Sequence, residues 1–150
     1  MKVVVQTVSH AACEVNHQVV ASIQRGLLLY VSFHHKDTED ILPIMAHKIK
    51  HLRIFEDTHG KMNLALKDLT LPVLSISQFT LEASTKKGHR PSFTDALEPG
   101  KAEIFYHQFN QCLKHQGIEV HTGHFQAHMQ IHSINDGPVT VLLERKNADD

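Results

Sequence analysis

The chain has 150 residues, of which 41% are apolar and 21% charged, with 15 Lys+Arg against 16 Asp+Glu for a formal net charge of −1. That is enough apolar material for one ordinary core. It is too little standing positive charge to coat long stretches of nucleic acid, although a small footprint stays open. No apolar run approaches the roughly 20 residues that a membrane span requires, and the opening Met1-Lys2-Val3-Val4-Val5-Gln6 turns polar too soon for a signal peptide. The two cysteines, Cys13 and Cys112, form neither a disulfide framework nor a CxxC pair. A soluble domain of a reducing, cytoplasmic compartment is expected.

Val3, Val5 and Val8 open a β-rich run that Cys13 to Val15 extends. Asn16-His17 breaks it, and Gln18 to Ile23 returns as in a hairpin. Leu27 to Phe33 is a continuous apolar run, the pattern of a strand buried on both faces. Asp37-Thr38-Glu39-Asp40 supplies capping side chains and first-turn acids for a helix with Ile41, Met45, Ile49 and Leu52 on one face. Pro43 requires that helix to start near Asp40. Arg53 to Phe55 reads as a short strand closed by the turn Asp57 to Gly60, and Val73 to Ile76 as another strand entered through Pro72.

Ser84 to Asp95 is an irregular, basic loop. Pro99-Gly100 opens a second helix with Ile104, Phe105, Phe109, Cys112 and Leu113 on one face, and Gly117 suits its C-terminal cap. Ile118 to His121, Met129 to Ile134 and Val139 to Leu143 complete the strands, with Asn135 to Pro138 as a turn between the last two. Residues 146–150 read as a loose tail. Strands outnumber helices in the mixed order of an α+β domain with a largely antiparallel sheet and two main helices.

The chain carries 14 histidines, and those at His121, His124, His128 and His132 suggest a metal-binding helix face. The alternation of Met129 and Ile131 with His128, Gln130 and His132 has period two, which favours a strand with a solvated face. No HExxH, P-loop, GxSxG or GxGxxG string occurs. Neither cysteine has the flanking signature of a nucleophile, and core packing suits Cys112 better. Two strings stand out: Ser77-Gln78-Phe79-Thr80-Leu81 at a strand end, and Asn135-Asp136-Gly137-Pro138-Val139-Thr140.

With Leu52-Arg53-Ile54-Phe55-Glu56-Asp57, Gly60-Lys61-Met62-Asn63-Leu64, Thr85-Lys86-Lys87-Gly88 and Arg90-Pro91-Ser92-Phe93, these strings resemble the D-aminoacyl-tRNA deacylases, once called D-tyrosyl-tRNA deacylases. The resemblance covers residues 1–145. It implies a single α+β domain with a barrel-like mixed sheet, and a hydrolase that cleaves the ester between a D-amino acid, or mischarged glycine, and the 3′ end of tRNA. It further implies a homodimer with active sites at the interface and neither cofactor nor metal. In the family, the bond matching Gly137-Pro138 is cis and reaches into the partner's pocket, where it excludes L side chains.

Ser77, Gln78, Phe79 and Thr80 would then form the catalytic wall. Backbone N–H groups around Gln78 and Phe79 would be candidate oxyanion donors. Thr80 has no adjacent base in the motif, so the tRNA 2′-hydroxyl is the expected assistant. Phe125 and Met129 match positions that cradle the terminal adenine, and Lys86, Lys87 and Arg90 would meet phosphates. The family's Gly-x-Phe-Gly-Ala-Asp-Met is here Gly123-His124-Phe125-Gln126-Ala127-His128-Met129, with Gln126 for a glycine and His128 for an acid. The rival classes are a noncatalytic RNA-end-binding module and a histidine-rich metal protein.

Overall fold

A computed structural model describes residues 1–147. The tail expected over 146–150 therefore lies, from residue 148 on, outside the described residues. Strand β1 (Lys2–Val15) turns Val3, Val5 and Val8 inward. Asn16 and His17 both take positive φ, 49° and 63°, the backbone that a tight two-residue hairpin needs, and β2 (Gln18–Ile23) pairs back onto the second half of β1. Strand β3 (Gly26–Ser32) runs antiparallel to the first half of β1.

Helix α1 (Ile41–His51) buries Ile41, Leu42, Met45, Ala46 and Ile49. Pro43 sits in its first turn, where an N–H has no intrahelical partner to lose. The expected capping acids act elsewhere. Asp40 makes no side-chain cap, and the buried Asp37 accepts from the His34 N–H at 2.8 Å and pairs with the Met1 ammonium at 2.6 Å.

The next segment departs from expectation. The strand expected at Arg53 to Phe55 is β4 (Phe55–Glu56), paired with an unanticipated β5 (Met62–Leu64), and a short third helix follows, α2 (Leu66–Leu69). Strand β6 (Val73–Ser77) runs parallel to β3. Helix α3 (Pro99–His115) begins at Glu98, whose carboxylate accepts from the N–H groups of Gly100 and Lys101 at 3.0 and 2.6 Å. It ends as expected at Gly117, φ 83°, with Gly117 N–H on the Lys114 carbonyl at 2.9 Å and Ile118 N–H on that of Leu113 at 3.3 Å. Strand β7 (Val120–Thr122) lies parallel to β6.

The final strand, β8 (Gln130–Glu144), follows the free side of β1 along nearly its whole length, giving the order β2-β1-β3-β6-β7 with β8 across β1. The two strands expected at Met129–Ile134 and Val139–Leu143 are thus one. Gln6 pairs with Thr140 and Val8 with Asn135, so Thr7 alone faces Asp136 to Val139. The string at Asn135 to Pro138 is a bulge in a continuous strand, not a turn between strands. The ladder on both sides of it holds the chain extended through residues that would otherwise reverse it.

Helices α1 and α3 cover one face of the sheet, over Leu27, Leu29, Val31 and Val73. The curled β1–β2 end covers the other, enclosing Cys13, Ile23, Leu28, Leu74 and Ile76. Strand β3 is therefore buried on both sides, which is why its sequence is apolar without alternation.

Candidate active site

Where β6 ends, Gln78 donates its backbone N–H to the Val31 carbonyl at 2.7 Å, and the chain winds into a 3₁₀ turn, Phe79–Glu82. Glu82 anchors that turn. Its side chain is 1% exposed, accepts from the Ser32 hydroxyl at 2.6 Å and meets the Lys2 ammonium at 3.2 Å. A buried carboxylate is tolerable only with such partners.

Above this turn opens a cavity of about 950 Å³. One wall is Ser77, Gln78 and Phe79; the opposite wall is Phe125 and Met129, from the segment joining β7 to β8. Phe93 closes a side, its ring edge-on to Phe79 at 5.1 Å between centroids. Behind Phe125 lies the buried ring of Tyr106, 5.9 Å away, whose hydroxyl donates to the Ser75 carbonyl at 2.7 Å. Burial pushes the Tyr106 hydroxyl pKa upward, against the opposing pull of that bond.

Of the residues singled out from sequence, Ser77, Gln78, Phe79, Phe125 and Met129 thus share one pocket. Thr80 stands just outside the lining, exposed, with its hydroxyl accepting from the Gln78 side-chain amide at 2.5 Å. An amide N–H cannot take a proton from a hydroxyl, so this neighbour does not activate Thr80 for attack. The Gln78 backbone N–H, a candidate oxyanion donor, is spent on Val31. The first i→i+3 bond of the turn comes from Leu81 to the Gln78 carbonyl at 3.2 Å, which leaves the Phe79 and Thr80 amides ahead of it, as at any helix start.

Gly137 and Pro138 do not join the pocket of their own chain. The bulge that holds them is exposed, the bond between them is cis, and the Thr7 hydroxyl donates to the Asp136 carbonyl at 2.6 Å beside it. Lys86, Lys87 and Arg90 are exposed on the loop pinned by the Ser84–Ser92 bridge, and only Lys86 edges a second, polar cavity of about 600 Å³.

The histidine series does not converge. His121 lies on β7 with Nε2 on Glu119 at 2.7 Å, His132 on β8 with Nε2 on Glu14 at 2.8 Å, and His124 and His128 flank a tight turn. Among the described residues, ligand-type atoms gather instead at His34, His35 and Asp95, all within 4.8 Å of one another at the surface. Burial holds both the Cys13 and Cys112 thiols above their ordinary pKa, which suits packing rather than nucleophilic chemistry. Among the lining residues given no site role from sequence are Phe33, Glu98 and Pro99, and Phe93, which figured only as part of a string. The signal of Phe93 is that of the one large apolar side chain in the polar loop Ser84 to Asp95.

The architecture is that of an α+β domain with a pocket that opens where parallel strands β6 and β7 end. The chain belongs to the D-Tyr-tRNA(Tyr) deacylase family, whose sequence profile matches residues 4–144. It is 50% identical over 145 residues to a D-aminoacyl-tRNA deacylase of Limosilactobacillus reuteri, covering 97% of this chain and 100% of the relative. To that of Thermotoga petrophila it is 48% identical over 144 residues, covering 96% and 97%. Among solved structures it is similar to the c-Myc DNA Unwinding Element Binding Protein, with TM-score 0.91, 38% identity and coverage of 97% and 99%. A probable eukaryotic D-amino acid tRNA deacylase shares the fold at TM-score 0.82 and 17% identity over 95% and 97%. No described helix is long and apolar enough to cross a membrane.

Proposed function

We propose that the protein hydrolyses the ester joining a D-amino acid to the 3′-terminal adenosine of tRNA, releasing free D-amino acid and tRNA. The carrying observation is the union of the Ser77–Phe79 wall with Phe125 and Met129 in one cavity, in a chain that curated D-aminoacyl-tRNA deacylases match nearly end to end. The adenine lies between Phe125 and Met129, where an aromatic face and a soft thioether suit a planar base. The ester then reaches the Ser77–Thr80 wall. As water adds to its carbonyl, the Phe79 and Thr80 amides stabilise the developing oxyanion. The ribose 2′-hydroxyl orients the water, and the ribose 3′-oxygen leaves with a proton as the tetrahedral intermediate collapses. No side-chain base is required in this scheme, which agrees with the amide neighbour of Thr80.

Rejection of L substrates, with tolerance of glycine, is assigned to Gly137-Pro138 of a second copy. The dipeptide is exposed on β8 and outside the lining of its own pocket, and Ile134 and Leu142 on the same strand are 60% and 58% exposed, as suits a face that pairs with another chain. Lys86, Lys87 and Arg90 meet acceptor-end phosphates, a small basic footprint on a near-neutral chain. The testing experiment incubates the protein with D-tyrosyl-tRNA and with L-tyrosyl-tRNA and measures release of tyrosine. Selective release from the D substrate is expected. Equal rates on both would refute the pocket assignment, and binding without release would leave a noncatalytic RNA-end module.

A further inference from the structure

We propose that Gly123 is a positioning residue for substrate binding: by carrying no side chain it seats the Met129 thioether against the pocket floor and so sets the room left for the adenine. This rests on the reading of the pocket given above. A Cβ built on Gly123 would lie 2.6 Å from Met129 Sδ, 3.1 Å from Ile76 Cδ1 and 3.2 Å from Cys13 Sγ. The φ of Gly123 lies outside the left-handed region. The glycine is thus required by space and not by backbone conformation.

Its surroundings decide what would yield. Gly123 is buried, and its N–H donates to the Ser75 carbonyl at 3.3 Å, the same oxygen that takes the Tyr106 hydroxyl at 2.7 Å. The preceding residue, Thr122, pairs with Ser75 in the parallel β6–β7 ladder. The backbone is therefore held and cannot retreat. Ile76 and Cys13 are 1% and 0% exposed and packed into the enclosed core. Ile76 also borders the cavity, but its branched, close-packed side chain adapts less readily than an unbranched thioether, and its contact with the added Cβ is the longer one. Met129 is half-buried, flexible and borders the cavity. An added methyl at Gly123 displaces Met129, and the open direction is into the space assigned to the base. The substitution thereby narrows the pocket, at a cost in stability set by how far Met129, Ile76 and Cys13 must give.

The test uses four proteins: wild type, Gly123→Ala, Met129→Ala and the double variant, each assayed for D-tyrosyl-tRNA hydrolysis and for thermal melting. Gly123→Ala is expected to raise KM about tenfold, the loss of part of one base-stacking contact, while kcat changes less than about threefold. In the Met129→Ala background, where the obstructing sulfur is gone, Gly123→Ala is expected to leave KM unchanged. If Gly123→Ala does not fold but the double variant does, the clash with Met129 is equally established. The proposal is overturned if the KM effects of the two substitutions multiply, if kcat falls with KM constant, or if the double variant also fails to fold. A wild type inert on D-tyrosyl-tRNA overturns the proposed function instead, and the melting temperatures of the four proteins still decide whether Gly123 seats Met129.

Discussion

Removing the cation from the half-buried Lys2–Glu82 pair is expected to destabilise the protein by an amount that removing the charge on Glu82 in part gives back. Lys2 Nζ lies 3.2 Å from Glu82 Oε2 and also donates to the Leu81 carbonyl at 3.1 Å, while Glu82 Oε1 holds the Ser32 hydroxyl. Lys2→Met keeps the length of the stem and leaves the carboxylate without a counter-charge. For fully buried pairs such a break costs about 3–5 kcal/mol. The Lys2 side chain is 25% exposed, so water partly replaces it, and about 2 kcal/mol is the better expectation between the buried and exposed limits. For a chain of this size that is a fall of roughly 4–8 °C in melting temperature. Adding Glu82→Gln, which keeps an acceptor for Ser32 and drops the charge, should recover at least half of it. Thermal melts followed by circular dichroism at neutral pH measure all four corners of the cycle. A Lys2→Met protein that melts with the wild type, or a double variant that recovers nothing, would refute the claim that this ion pair anchors the Phe79–Glu82 turn.

Thr80→Ala should slow hydrolysis of D-tyrosyl-tRNA only several-fold, because a positioning hydroxyl is worth about 1 kcal/mol; loss of several orders of magnitude, or a covalent adduct on Thr80, would make it the nucleophile. Gly137→Ala should leave a folded protein. Its φ is 134° and an added Cβ would lie 3.1 Å from Val139 N and Cγ2, a strain of about 1–3 kcal/mol, but activity should drop much further. Mixing Gly137→Ala subunits with subunits disabled in the Ser77–Thr80 wall should restore activity, and failure to do so after confirmed subunit exchange would leave Gly137-Pro138 outside the pocket. Exhaustive chelation should leave the rate unchanged, and a loss reversed by added zinc would assign a metal to the reaction.

The elements legible in the sequence are those whose pattern records a tertiary environment. The unbroken apolar run of β3 reflects burial on both faces, and the helical spacing of α1 and α3 reflects a single face turned to the sheet. Strand β5 and helix α2 left no such record. They span three and four residues, and local bonds shape them, such as that from the Ala65 N–H to the Asp68 carboxylate at 2.8 Å. The string Asn135 to Pro138 carries every mark of a reversal, and only the partner strand on both sides of it decides otherwise. At the pocket, the residue types of the Ser77–Thr80 wall were readable as a string. That the Gln78 N–H would be consumed by Val31 depends on the approach of β3, which no local pattern encodes.

The pairing of β1 with β8 also constrains how the protein is made. Lys2 lies opposite Glu144 and Glu14 opposite Gln130, so one whole side of β1 waits for a strand far along the chain. Until then β1 presents a long row of unpaired N–H and C=O groups beside apolar side chains, the kind of edge that invites pairing with another chain. Contacts of such sequence separation also form slowly. Shielding the edge of β1 until β8 pairs with it is therefore expected to raise the yield of folded protein more than shielding the helices.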